Sequence, residues 1–115
     1  MKLTLDKYKH IIENLHEGII IHDSLFNILF ANDFMANLTG YTQKKLHNKN
    51  LLDLLDDKNK QILRIQSNTI NDNSNYDLKI TTKGKNSKFI RISSNEYHDG
   101  VNEHRLCICE NITSF

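Results

Sequence analysis

Proline is absent from the 115 residues, and no low-complexity tract exceeds the polar stretch at 71–75, so nothing marks a linker that would divide the chain. Long apolar runs are absent too. Gly18-Ile19-Ile20-Ile21 is typical, far short of the roughly 20 residues a membrane span requires, and no apolar leader core follows Met1-Lys2. Charge of one sign is not in excess: 15 Lys and Arg against 14 Asp and Glu leave +1. No whole-domain field would draw the protein onto nucleic acid or an anionic membrane, and neither is expected as a partner. Cysteine is scarce. Cys107 and Cys109 are the only two, and their i, i+2 spacing on a strand sets them side by side without favouring a disulfide. These absences point to a soluble protein in a reducing, cytoplasmic compartment. Catalytic signatures are missing as well: no Ser/His/Asp grouping, glycine-rich phosphate loop or HExxH motif occurs, so the chain does not read as an enzyme.

What is present suits one globular domain. The length supports a single hydrophobic core, and 38% hydrophobic with 25% charged residues is ordinary for a soluble fold. Leu5, Tyr8, Ile11, Ile12 and Leu15 recur at three- and four-residue spacing, the stripe of an amphipathic helix over residues 1–16 that closes near Gly18. Ile19–His22 and Asn27–Ala31 are short β-branched runs around a polar turn, a hairpin. Asn32 or Asp33 then caps a short helix through Phe34–Leu38 that Gly40 stops. Thr42 can cap another short segment, and Leu51, Leu52, Leu54 and Leu55 form an apolar knot. Asp56 or Asp57 caps a longer helix to about Ile70, with Ile62, Ile65 and Thr69 on one face.

Beyond the loop at 71–75 the period changes to two. Tyr76–Ile80, Lys88–Ser93 and Arg105–Cys109 read as strands, joined through the turn at Thr82–Lys85 and through Asp99-Gly100. Strands split two and three around a helical insert imply an α+β fold: a five-stranded antiparallel sheet with helices between strands 2 and 3, and an N-terminal amphipathic helix left over for the other face.

Glu17-Gly18-Ile19-Ile20-Ile21-His22-Asp23, Ile28-Leu29-Phe30-Ala31-Asn32 and Leu38-Thr39-Gly40-Tyr41 together resemble the opening pattern of PAS domains. The ending Glu110-Asn111-Ile112-Thr113 is similar to the Asp-Ile-Thr signature that closes many of them, with Asn111 in place of the aspartate. That exchange loses a charge but keeps a hydrogen-bonding side chain. A glycine often found after the Tyr-containing motif is replaced around His47-Asn48. The resemblance implies a PAS core over residues 17–113, with 114–115 starting a connector to an output domain in a larger protein, most often a sensor histidine kinase.

It also implies where a ligand would sit. A small molecule between the sheet and the middle helices would meet Phe34, Leu38, Tyr41, Leu55, Ile62, Ile65, Thr69, Tyr76, Leu78, Ile92 and Cys107, residues that would equally well fill a closed core. The segment Asn48-Lys49-Asn50-Leu51-Leu52 lacks the cysteine of flavin-adduct members, and residues 56–70 lack the histidine of haem-binding ones. No cofactor is expected, and no metal: His98, His104, Cys107 and Cys109 match no standard zinc spacing, and Cys-x-Cys reads first as a pair of core residues. The remaining histidines, including His22, read as surface residues. The family resemblance further implies signal relay through Asn111, Ile112 and Thr113, and a homodimer built on the stripe Leu5, Tyr8, Ile11, Ile12 and Leu15. Two alternatives stay open: a ligand-free structural dimerisation module, and a metal or thiol-redox sensor.

Overall fold

The computed structural model describes residues 16–68, 74–98 and 103–113. The stripe Leu5, Tyr8, Ile11, Ile12 and Leu15 of the expected N-terminal helix, Thr69, the Asp99-Gly100 turn and the connector at 114–115 lie outside the described residues. Within them the order is β1 (Gly18–His22), β2 (Ile28–Ala31), α1 (Asp33–Thr39), α2 (Gln43–His47), a single 3-10 turn (Leu51–Leu54), α3 (Asp57–Ser67), β3 (Ser74–Thr81), β4 (Ser87–His98) and β5 (Glu103–Asn111). The strands form one five-stranded sheet in the order β2-β1-β5-β4-β3, every neighbouring pair antiparallel. This is the expected α+β architecture.

Local chemistry explains most boundaries. Asn32, Thr42, Asn50 and Asp56 each stand in extended conformation before a helical segment and accept a backbone N–H of its first turn. Gly40 ends α1 at φ 80°, a left-handed conformation that costs glycine nothing. Lys83 N–H then bonds the Thr39 carbonyl at 2.8 Å, which docks the β3–β4 turn on that helix end. In this turn the left-handed residue is Lys85 at φ 68°, one place after Gly84.

Cross-strand register sets the core. Gly18, Cys109, Ile92 and Tyr76 lie in one row across four strands, and Ile20, Cys107 and Ser94 in the next. These rows face the helices and join Met35, Leu46, Leu51, Leu54, Leu55 and Leu63 in one buried cluster, each large apolar side chain worth about 1.5–3 kcal/mol of burial. Gly18 is required there because Met35 and the Cys109 Cβ occupy the space a side chain would need.

Helix α3 departs from its expected face and length. It ends at Ser67, where Asn68 N–H closes onto the Arg64 and Gln66 carbonyls, and its buried residues are Asn59 and Leu63. Ile65, expected among the pocket-lining residues, is 63% exposed. At 100° per residue it sits about 200° around the helix from Leu63, so one of the two must face water. Asn59 takes the inward position because its Oδ1 accepts Lys79 N–H of the edge strand β3 at 2.9 Å while its Nδ2 donates to Asp56 at 2.7 Å. Strand β4 also runs further than Lys88–Ser93, since its pairing with β5 continues through Glu96 and beyond.

Candidate functional site

The interior proposed for a ligand is built largely of core. Leu55, Tyr76, Leu78, Ile92 and Cys107 are buried in the apolar cluster, and Leu38, Tyr41 and Ile62 pack partly buried against it. Phe34 is half-buried, and Ile65 lies on the outer side of α3. Lys49 Nζ stands 4.5 Å over the Tyr41 ring at the surface side. Burial pushes the Tyr76 hydroxyl well above its usual range, the Cys107 thiol up to about 11, and the Cys109 thiol well above its usual range. Both thiols are therefore protonated core groups at neutral pH, and Cys107 Sγ lies 3.8 Å from Ser94 Oγ. Among the described residues no group of three or more His, Cys, Asp or Glu side chains is placed to hold a metal ion.

A polar cleft of about 450 Å3 opens at one end of the sheet, between the β1–β2 turn, the C-terminal end of α3 and the facing ends of β4 and β5. Its lining includes His22, Phe26, Arg64, Glu96, Glu103, His104 and Arg105. Register places three of these in one row: His22 pairs with Arg105, and Arg105 with Glu96. The sequence suggests a surface position for His22, yet it is 2% exposed. The correction follows from strand parity, because two residues after Ile20 it shares Ile20's inward face.

The cleft's turn is tightly made. Asp23 accepts from Leu25 and Asn27 backbone N–H at 2.9 and 2.8 Å and from the Asn27 amide at 3.1 Å. Phe26 adopts φ 67°, uncommon for a bulky residue, and is held there by its N–H on the Asp23 carbonyl at 3.0 Å and by Leu51 N–H on its own carbonyl at 2.7 Å. Its ring lies 5.4 Å from that of His22. The His22 Nδ1 engages the Asp23 carbonyl at 2.8 Å, which leaves Nε2 as the ring's other polar atom. Burial pushes the His22 pKa below its usual value; the Asp23 carbonyl opposes this and Arg105 adds to it. On the cleft floor Arg105 Nε donates to Ser94 Oγ at 2.9 Å.

The exit segment is joined to the sheet at the opposite end of β5. Ile112 N–H donates to the Phe89 carbonyl at 2.9 Å, and Phe89 N–H donates to Thr113 Oγ1 at 2.8 Å. The Thr113 hydroxyl proton has two acceptors in reach, Asn111 Oδ1 at 2.6 Å and the Phe89 carbonyl at 3.2 Å. Asn111 Oδ1 also accepts Thr113 N–H at 3.1 Å. All of Asn111's bonds here use its oxygen as acceptor, the capacity an aspartate would also supply, so the loss of charge leaves this geometry intact.

Comparison with known proteins agrees with the fold. No curated protein matches the sequence. Among solved structures, a PAS domain from a two-component sensor histidine kinase superposes with a TM-score of 0.77 at 16% identity, covering 92% of this chain and 94% of that one. The PAS domain of a protein from Colwellia psychrerythraea gives 0.79 at 15% identity over 96% and 98% of the two chains. A domain of a sensory box sensor histidine kinase/response regulator from Geobacter sulfurreducens gives 0.71 at 18% identity over 91% of each. The sequence profile of the PAS fold matches residues 6–112, nearly the whole chain. The chain belongs to the PAS family, whose domains are generally sensory, non-catalytic modules.

Proposed function

We propose that the chain is the sensory and relay domain of a larger cytoplasmic signalling protein of the sensor-histidine-kinase type, and that it passes a conformational signal out through Asn111-Ile112-Thr113. The observation that carries this reading is the clamp of Ile112 and Thr113 onto Phe89 of β4. Each of its hydrogen bonds is worth about 1 kcal/mol net, so the clamp orders the exit at rest and still yields to a signal of a few kcal/mol. A shift of β4 against β5 changes these bonds directly, which makes the sheet the lever and the exit its readout. Two copies are proposed to pair through the stripe Leu5, Tyr8, Ile11, Ile12 and Leu15.

The packing of Leu55, Tyr76, Leu78, Ile92 and Cys107 into one core supports a second reading of the interior, in which these residues carry stability and no ligand enters between sheet and helices. Native mass spectrometry separates the two, since a retained small molecule would favour an interior ligand.

The relay is tested by fusing the chain to the catalytic core of a sensor histidine kinase in place of its own PAS domain. Thr113→Val and Asn111→Ala are each expected to change autophosphorylation by roughly fivefold, the equivalent of about one hydrogen bond, with the domain still folded. Unchanged kinase output in both variants would sink the relay reading.

A further inference from the structure

We infer that the polar cleft at the end of the sheet is a binding site for a small zwitterion, a molecule with one anionic and one cationic group, of which a free α-amino acid is the simplest member. At about 450 Å3 the cleft is within the range of small-molecule sites, and it lies apart from the apolar interior around Leu78 and Ile92. Its floor is the row His22, Arg105 and Glu96, set side by side on three adjacent strands by main-chain register. Groups placed by a sheet are positioned before a ligand arrives.

Both signs of charge line the cleft. Arg64 enters from the end of α3 and Glu103 from the start of β5, and neither side chain has a salt-bridge partner among the described residues. A purely anionic ligand would meet Glu96 and Glu103, and a purely cationic one Arg64 and Arg105. A molecule carrying both charges can pair with Arg64 and Glu103 at once, and the mismatch of single charges supplies the selectivity. His22 completes the floor: its Nδ1 is engaged by the Asp23 carbonyl and its ring is backed by Phe26, so Nε2 is the atom left to hydrogen-bond a guest. The described His, Asp and Glu side chains form no metal-holding group, so the cleft is not read as a cation site.

Occupancy has a route outward. Strands β4 and β5 carry Glu96 and Arg105 in the cleft and Phe89 and Asn111 at the exit, so a ligand that draws their near ends together also loads the clamp. This consequence rests on the relay reading. The binding itself does not.

The test is an NMR titration of the 15N-labelled 115-residue chain with each of the twenty proteinogenic amino acids, with acetate and methylammonium as single-charge controls. At least one amino acid is expected to shift the amides of His22, Arg64 and Arg105 saturably, and both controls to bind at least tenfold more weakly. Arg64→Gln and Glu103→Gln, both at exposed positions, are each expected to raise Kd at least tenfold while leaving the ligand-free spectrum in place. The inference is overturned if none of the twenty gives saturable shifts, if the shifts centre on Leu78 and Ile92, if either control matches the amino acids, or if both variants bind like wild type. Any of these leaves the kinase-fusion result standing, so the two readings fail separately.

Discussion

Asn32 is fully buried and ties three parts of the chain together, which makes Asn32→Ala the most informative stability test. Its Oδ1 accepts Ile19 N–H at 3.1 Å and Met35 N–H at 3.2 Å, and its Nδ2 donates to the Glu17 carbonyl at 2.9 Å. Alanine removes the helix cap of α1, a loss of about 1 kcal/mol. It also strands the Ile19 N–H beside a packed core, at about 1–3 kcal/mol. The sum is about 2–4 kcal/mol, a large share of the 5–15 kcal/mol typical of a domain. At about 4 °C per kcal/mol for a chain of this size, Tm should fall by about 8–16 °C. Urea unfolding followed by circular dichroism should show a lower midpoint at unchanged slope. Asn32→Ser restores the cap but not the reach to Ile19 or Glu17, so it should recover about 1 kcal/mol of the loss. A loss under 1 kcal/mol for Asn32→Ala, or full wild-type stability for Asn32→Ser, would refute the assigned roles.

Three further outcomes are expected. Because burial holds the folded pKa of His22 below its unfolded value of 6.5, the unfolded chain takes up a proton first on acidification, so stability contributed by neutral His22 falls as pH drops below about 6.5; urea midpoints between pH 7.5 and 5.5 should show this slope and His22→Gln should flatten it, whereas an identical slope in both proteins would count against it. Leu63→Ala should cost about 2–5 kcal/mol by leaving a cavity, while Ile65→Ala, two residues along the same helix, should stay within about 0.5 kcal/mol, as chemical denaturation of both variants would show. Gly18→Ala should cost about 1–3 kcal/mol, since the new methyl would fall on Met35 and stand 3.2 Å from Cys109 Cβ; thermal melts of this variant alone and combined with Met35→Ala should show partial relief in the pair.

The order of elements was legible because its signals are local. Asn32, Thr42 and Asp56 announce helix starts by side-chain chemistry, and Gly40 marks a stop through a left-handed backbone that most residues avoid. The parity of Cys107 and Cys109 likewise fitted two core residues on one strand face. The facing of α3 was not legible in the same way. Ile62 packs against the core, but Ile65 faces water and polar Asn59 takes an inward position beside Leu63, because the β3 edge offers Asn59 a backbone N–H, which only the tertiary fold supplies. For His22 polar character points to the surface, while strand parity with Ile20 places it inside. The cleft stayed hidden for a related reason: His22, Glu96 and Arg105 are distant in sequence and become neighbours only through two strand registers. The exit clamp was half-visible, since Asn111 and Thr113 stood out while their partner Phe89 did not.

Amide hydrogen exchange at Phe89 and Ile112 tests the central claim most directly, because the relay needs the exit segment held to β4 by bonds that can open. Wild-type protein should protect both amides, and Thr113→Val, which removes the acceptor of Phe89 N–H, should speed exchange at Phe89 by roughly fivefold, about 1 kcal/mol of opening free energy. Unprotected amides in the wild type, or exchange at Phe89 unaltered by the substitution, would contradict the clamp and with it the route by which the domain is proposed to signal.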